Sequence, residues 1–121
     1  LQTLRAPASF GVPDLKASSG LAGFKEEKGL TYIHLDGSGS ARVVFTKAGA
    51  AQPAYIENAS ALLDSFERKG RGFSARLRAE APGQVLVRLP QGCAASVDGK
   101  ASKDGKIKFA KGTINLNVDC E

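Results

Sequence analysis

The chain has 121 residues, of which 42% are hydrophobic and 24% charged, with a formal net charge of +5, one His, two Cys and neither Met nor Trp. This length suits one domain with a core of its own, and no apolar run approaches the ~20 residues of a membrane-spanning helix. The basic residues are interleaved with acidic ones, without the concentrated stripe and reading motif of a nucleic-acid-binding protein. With no initiating Met, the chain is expected to be a fragment of a larger protein, matured or cut, so the absence of a signal-peptide h-region says nothing about export.

A short strand is expected near Thr3 to Arg5. Gly11 to Gly29 carries no strand pattern and is expected to form a long connection, pinned to the core by Leu15, Leu21 and Phe24. Loops of that length in compact domains are often functional or packed against something. Leu30 to Leu35 and Ala41 to Thr46 flank Asp36-Gly37-Ser38-Gly39-Ser40 and read as a hairpin with a flexible loop. Ser60 to Gly70 has two readings. One is a helix capped by Ser60 and stopped at Gly70. The other is a strand in which Leu62 and Phe66 fall out of register with Leu63 and Ser65. The surrounding series of short strands favours the strand.

The second half alternates more clearly. Phe73, Ala75, Leu77 and Ala79 share one face against Ser74, Arg76, Arg78 and Glu80. Gln84 to Leu89 follows as a strand after the Ala81-Pro82-Gly83 break, and Lys106 to Phe109 repeats the pattern in miniature. In the last segment Ile114, Leu116, Val118 and Cys120 oppose Thr113, Asn115, Asn117 and Asp119, as in a half-buried antiparallel strand. Asp98-Gly99 and Asp104-Gly105 are turn dipeptides. Eight or nine short strands spaced by turns predict an all-β single domain, an antiparallel, jelly-roll-like β-sandwich over residues 1–121.

Cys93 and Cys120 each extend an alternating pattern on its apolar face, so two neighbouring strands can bring them together in a disulfide; the alternative is a pair of reduced, buried thiols. A disulfide points to a periplasmic or secreted protein. It would also leave no free thiol for a nucleophile. One His, His34, cannot build a His-rich metal site and reads as a surface or packed strand residue. Asp36, Asp98 and Asp104 fall at turns, and no carboxylates cluster. Gly37-Ser38-Gly39 lacks the Lys and following helix of a phosphate loop. No catalytic residue, metal site or cofactor is therefore expected.

Among the aromatic residues, Phe45, Phe73 and Phe109 read as core. Tyr32, Tyr55 and Phe24, with Phe10 a further candidate, are the residues that could form a platform for a sugar. The lysines from Lys100 to Lys111 offer a basic hairpin to an acidic protein partner.

The run Thr3-Leu4-Arg5-Ala6-Pro7, then Gly11-Val12-Pro13-Asp14-Leu15 and Ser19-Gly20-Leu21-Ala22-Gly23-Phe24, followed by Tyr32-Ile33-His34-Leu35 and Gly92-Cys93, resembles the C-terminal β-domain of the PelA family of bacterial Pel exopolysaccharide hydrolase/deacetylases. The similarity is scattered over most of the chain and contains no catalytic motif. The resemblance implies a periplasmic parent with separate hydrolase and deacetylase domains, acting on a partly deacetylated polymer rich in N-acetylgalactosamine. This chain would then be a non-catalytic accessory domain. It would position polysaccharide or dock on an adjacent catalytic domain or protein partner, with the segment from Gly11 to Gly29 as the docking surface. An independent carbohydrate-binding module and a protein-interaction domain are the alternatives.

Overall fold

The computed structural model describes residues 2–102 and 104–121; Leu1, and Lys103 of the lysine-rich hairpin, lie outside them. In chain order the elements are β1 (Thr3–Pro7), a 3-10 turn (Ala8–Phe10), β2 (Val12–Pro13), β3 (Leu21–Glu27), β4 (Leu30–Leu35), β5 (Phe45–Thr46), β6 (Tyr55–Ala59) and β7 (Leu62–Lys69). They continue with β8 (Gly72–Ala79), β9 (Gly83–Arg88), β10 (Cys93–Val97), β11 (Lys100–Ser102), β12 (Lys106–Phe109) and β13 (Gly112–Cys120). No helix of the described residues is long and apolar enough to cross a membrane.

The main body is an antiparallel β-sandwich. One layer has five strands in the order β11-β10-β13-β8-β7, the other three in the order β12-β9-β6. The alternation visible in the sequence decides which residues meet between them. Phe73, Ala75, Leu77 and Ala79 of β8 and Ile114, Leu116 and Val118 of β13 are buried against Val85 and Val87 of β9, Ile107 and Phe109 of β12, and Ile56 of β6. Each of the Val, Leu, Ile and Phe side chains among them, removed from water, contributes roughly 1.5–3 kcal/mol. Their neighbours Arg76, Arg78, Asn115 and Asn117 point to solvent. Asp98, at φ 49°, and Gly99, at φ 85°, form the two-residue turn between β10 and β11 that their sequence suggests.

Residues 62–69 form a strand, as the β context requires. Its register slips between Leu63 and Ser65, leaving Asp64 as the extra residue of a bulge. The bulge explains the irregular pattern: it brings Leu63 and Phe66 to the same core, although a regular strand would put them on opposite faces.

The first third departs from the expectation. Residues 11–29 are not a strandless connection, because they contain β2 and all of β3. Leu30 to Leu35 does not form a hairpin with Ala41 to Thr46. Instead β4 pairs with β3 on one edge and β1 on the other, which leaves no edge for residues 41–46. The shorter Lys28-Gly29 turn, with both residues at positive φ, closes the β3–β4 hairpin. Of residues 41–46, only Phe45–Thr46 joins a strand pair, with Val12–Pro13. Strand β3 escapes the alternation test because Leu21, Ala22, Gly23 and Phe24 are all buried, around a bulge between Leu21 and Gly23. Leu15, Leu21 and Phe24 do pin this segment, but to a second core with Ala6, Val12 and Ile33.

The two bodies meet where β3 runs against β6. A Cβ at Gly23 would collide with the carbonyl oxygen of Ile56, so only glycine permits this approach. The bulged Ala22 reaches from this strand into the main core, where it is fully buried.

The disulfide between Cys93 and Cys120 is formed. The two residues are direct cross-strand partners in the β10–β13 ladder, with Cα atoms 4.0 Å apart. The bridge closes a sequence separation of 27 and stabilises by about 3–4 kcal/mol through the chain entropy of the unfolded state. Adding reductant to the wild-type chain should lower the melting temperature by on the order of 10 °C. Cys120→Ser should melt at that lower temperature with or without reductant. Equal melting of the wild type in both conditions would show that the bridge contributes nothing.

Candidate functional site

The three residues expected to form a sugar platform do not share a surface. Phe24 faces Ile33 across the β3–β4 ladder, while the next pair is Lys25 with Tyr32. Successive residues of a strand point to opposite faces, so Tyr32 lies on the other side of this sheet from Phe24. Phe24 is 5% exposed. Its ring stacks on Tyr55, with centroids 4.4 Å apart and planes 15° off parallel. Burial pushes the Tyr55 phenol up to about 12, so it is neutral at physiological pH. Buried Phe24 and half-buried Tyr55 thus stack over the second core.

The exposed aromatic surface lies elsewhere. Phe10, at the end of the 3-10 turn, is 59% exposed, and Phe45, at the start of β5, is 36% exposed. Phe45 is therefore not a core residue, contrary to its reading from sequence. The two rings meet edge to face, 5.6 Å between centroids and 84° between planes. Residues 35 positions apart are joined by the β2–β5 pair and by the fit of Gly11 against the Thr46 backbone, where a side chain would clash. Phe10 was legible as a candidate; its partner was not, because Phe45 sits in a Val-Val-Phe run that reads as a buried strand.

His34 is buried at 4% exposure and is fully engaged. Strand β6 carries a bulge between Ile56 and Asn58, so Glu57 has no partner in the ladder. Its carbonyl oxygen accepts a hydrogen bond from His34 Nε2 at 2.6 Å. A carbonyl can only accept, so the neutral ring carries its proton on Nε2. His34 Nδ1 then accepts from the Thr3 hydroxyl at 3.0 Å. The residue is a strap between β1, β4 and β6, in line with a packed strand histidine. The Glu57 carboxylate pairs with Arg88 at 3.0 Å.

Arg68 is likewise more than a solvated charge. Its guanidinium donates to the carbonyls of Ala54 at 2.6 Å and Gly72 at 3.2 Å. It also lies 5.3 and 5.6 Å from the ring centres of Phe66 and Phe73. Among the described residues, no group of three or more His, Cys, Asp or Glu side chains converges as a metal site would require.

At one open side of the sandwich, β11 and β12 diverge around a cleft of about 690 Å³. Its floor includes Ile107, Phe109 and Ile114, and its rim carries Lys100, Lys106, Lys108 and Lys111. The segment from Lys100 to Lys111 is therefore not the hairpin expected from sequence: β11 pairs with β10 and β12 with β9, in different layers, so its lysines stand on both sides of the cleft.

Burial lowers the His34 pKa below its usual 6.5. The unfolded chain therefore binds this proton more readily than the folded one. The contribution to stability is complete above about pH 6.5 and is lost as pH falls through the depressed folded value. Melting temperature should decline from pH 7 to pH 5 in the wild type and stay nearly level over that window in His34→Gln. Parallel declines in both proteins would remove His34 as the titrating group.

No protein-family model matches this sequence, and comparison with curated proteins and with solved structures finds no significant similarity.

Proposed function

We propose that the chain is a non-catalytic accessory domain of a bacterial exopolysaccharide-processing enzyme, periplasmic or secreted, which positions polymer for a catalytic domain through the Phe10–Phe45 pair. The carrying observation is that pair: two phenyl rings, 59% and 36% exposed, held edge to face on a small, well-packed body. An exposed ring can stack against the C–H face of a pyranose, and rings fixed before binding lose little entropy on contact. The surface expected to dock, residues 11–29, has its apolar side chains Leu15, Leu21 and Phe24 in the second core. The exposed rings border that segment instead.

A non-catalytic role is supported by what the reactive side chains do. His34 uses both ring nitrogens in structural hydrogen bonds, and both cysteines are in the disulfide. Export is supported by the same bridge, since disulfides persist in oxidising compartments. The exopolysaccharide context rests on the resemblance, scattered over most of the chain, to the PelA β-domain.

Calorimetric titration of the chain with N-acetylgalactosamine and galactosamine oligomers tests the reading. Binding is expected that persists when salt is raised. In Phe10→Ala and Phe45→Ala it should weaken by about tenfold, equivalent to about 1.4 kcal/mol. Tyr32→Ala should leave it unchanged. A flat titration, or binding indifferent to both phenylalanines, would reject polymer positioning by this surface.

A further inference from the structure

We infer that the cleft between β11 and β12 is a docking groove for an extended segment of another protein, one that alternates acidic and apolar side chains and adds to the sandwich as a strand. This inference is independent of the polymer reading. It rests on three features that coincide at one place.

The first is open backbone. β12 is an edge of the three-stranded layer and β11 an edge of the five-stranded layer, and both border the cleft. Val87 N–H donates to the Gly105 carbonyl at 2.8 Å, which sets the phase of the β9–β12 ladder. Hydrogen-bonded pairs alternate along an antiparallel ladder, so Ile107 and Phe109 turn their backbone groups to β9. Those of Lys106 and Lys108 face away. Lys106 N–H is taken by the Asp104 carboxylate at 3.0 Å, which leaves the Lys108 amide and carbonyl on the open edge.

The second is an apolar floor. Ile107, Phe109 and Ile114 line the cleft beneath that edge. A strand laid along β12 would set alternate side chains over them, because directly opposed residues share a face.

The third is charge. Lys100, Lys106, Lys108 and Lys111 rim the cleft, and the ion pairs among the described residues, Lys25–Glu27, Arg78–Asp64 and Arg88–Glu57, involve none of them. Two carboxylates oppose these four cations. Asp98 belongs to the β10–β11 turn, and Asp104 is occupied by the Lys106 amide and the Ser102 hydroxyl. Lysines on an edge strand deter pairing between identical edges, yet they select for a strand of opposite charge. The other long edge, β7, carries Asp64, Glu67 and Lys69 together and has no such bias. A carboxylate beside Lys106 or Lys108 answers their charge, while a cationic polymer is repelled. Charge complementarity and the paired open edges thus favour an acidic peptide over a glycan.

The test uses a short blocked peptide alternating glutamate with valine, its lysine-for-glutamate counterpart, and polygalacturonate as an acidic glycan. Titration of the intact chain should show binding of the glutamate peptide alone, weaker at high salt because exposed charge pairs are screened. Hydrogen exchange at the Lys108 amide should slow on binding. The double variant Lys106→Glu, Lys108→Glu, whose side chains are exposed and leave the core untouched, should weaken binding by on the order of tenfold or more. Absence of binding by the glutamate peptide overturns the proposal. So does equal binding of the lysine peptide, or binding without slower exchange at Lys108. Tighter binding of polygalacturonate than of the peptide would reassign the cleft to acidic glycans and overturn the strand.

Discussion

The joining of the smaller body to the sandwich depends on the contact between β3 and β6. The main sandwich presents β6 as the edge of its three-stranded layer. The smaller body reaches that edge only because residue 23 has no side chain to meet the Ile56 carbonyl. Once the backbones are this close, polar groups at the junction lose access to water and must find partners in the protein. The bulge at Glu57 leaves one such carbonyl outside the ladder, and His34 reaches it from β4. One glycine, one bulge and one histidine thus convert two packing problems into one joint.

The sandwich itself is held by more conventional means. Alternation supplies two apolar faces, and the register of β8 with β13 and of β9 with β12 brings them together. Bulges adjust the layers where the sequence departs from a strict period of two. At Asp64 the extra residue turns outward, and its carboxylate lies 3.7 Å from Arg78 on the neighbouring strand. The disulfide joins the β10–β13 ladder at Cys93 and Cys120, close to the end of the last strand. That is the end where terminal pairs would otherwise open most easily.

On the reading proposed above, function lies at the surface of the domain. Three groups that the residue types alone would single out are held structurally: His34 by two hydrogen bonds, the cysteines by each other, Arg68 by two carbonyls and two rings. Two exposed features of different kinds lie in different places. Phe10 and Phe45 give the smaller body an aromatic knob. The divergence of β11 and β12 gives the larger body a basic groove with unpaired strand edges. On the proposed readings, these two surfaces would let the domain hold one component in place relative to another.

By itself the sequence determined the class of the fold, strands β8, β9, β12 and β13 and the faces they bury, and it placed the two cysteines where a disulfide could join them. In those segments burial is one-sided, so a period of two is written directly into residue polarity. It also determined that residues 60–70 could extend as a strand, although the reason for their broken pattern, a bulge at Asp64, lay in the partner strand. Tertiary structure alone decided the rest. Strand β3 is buried on both faces at its start, which erases alternation, so a strand reads as a loop. Strand β4 has two candidate hairpin partners, β3 before it and residues 41–46 after it, and β3 takes the edge through the shorter Lys28-Gly29 turn. Phe24 and Phe45 exchange their expected places, one buried against Tyr55 and the other turned out beside Phe10. Hydrophobicity alone does not tell a core phenylalanine from an exposed one; that depends on whether another layer covers the ring, and here the covering layer comes from distant parts of the chain.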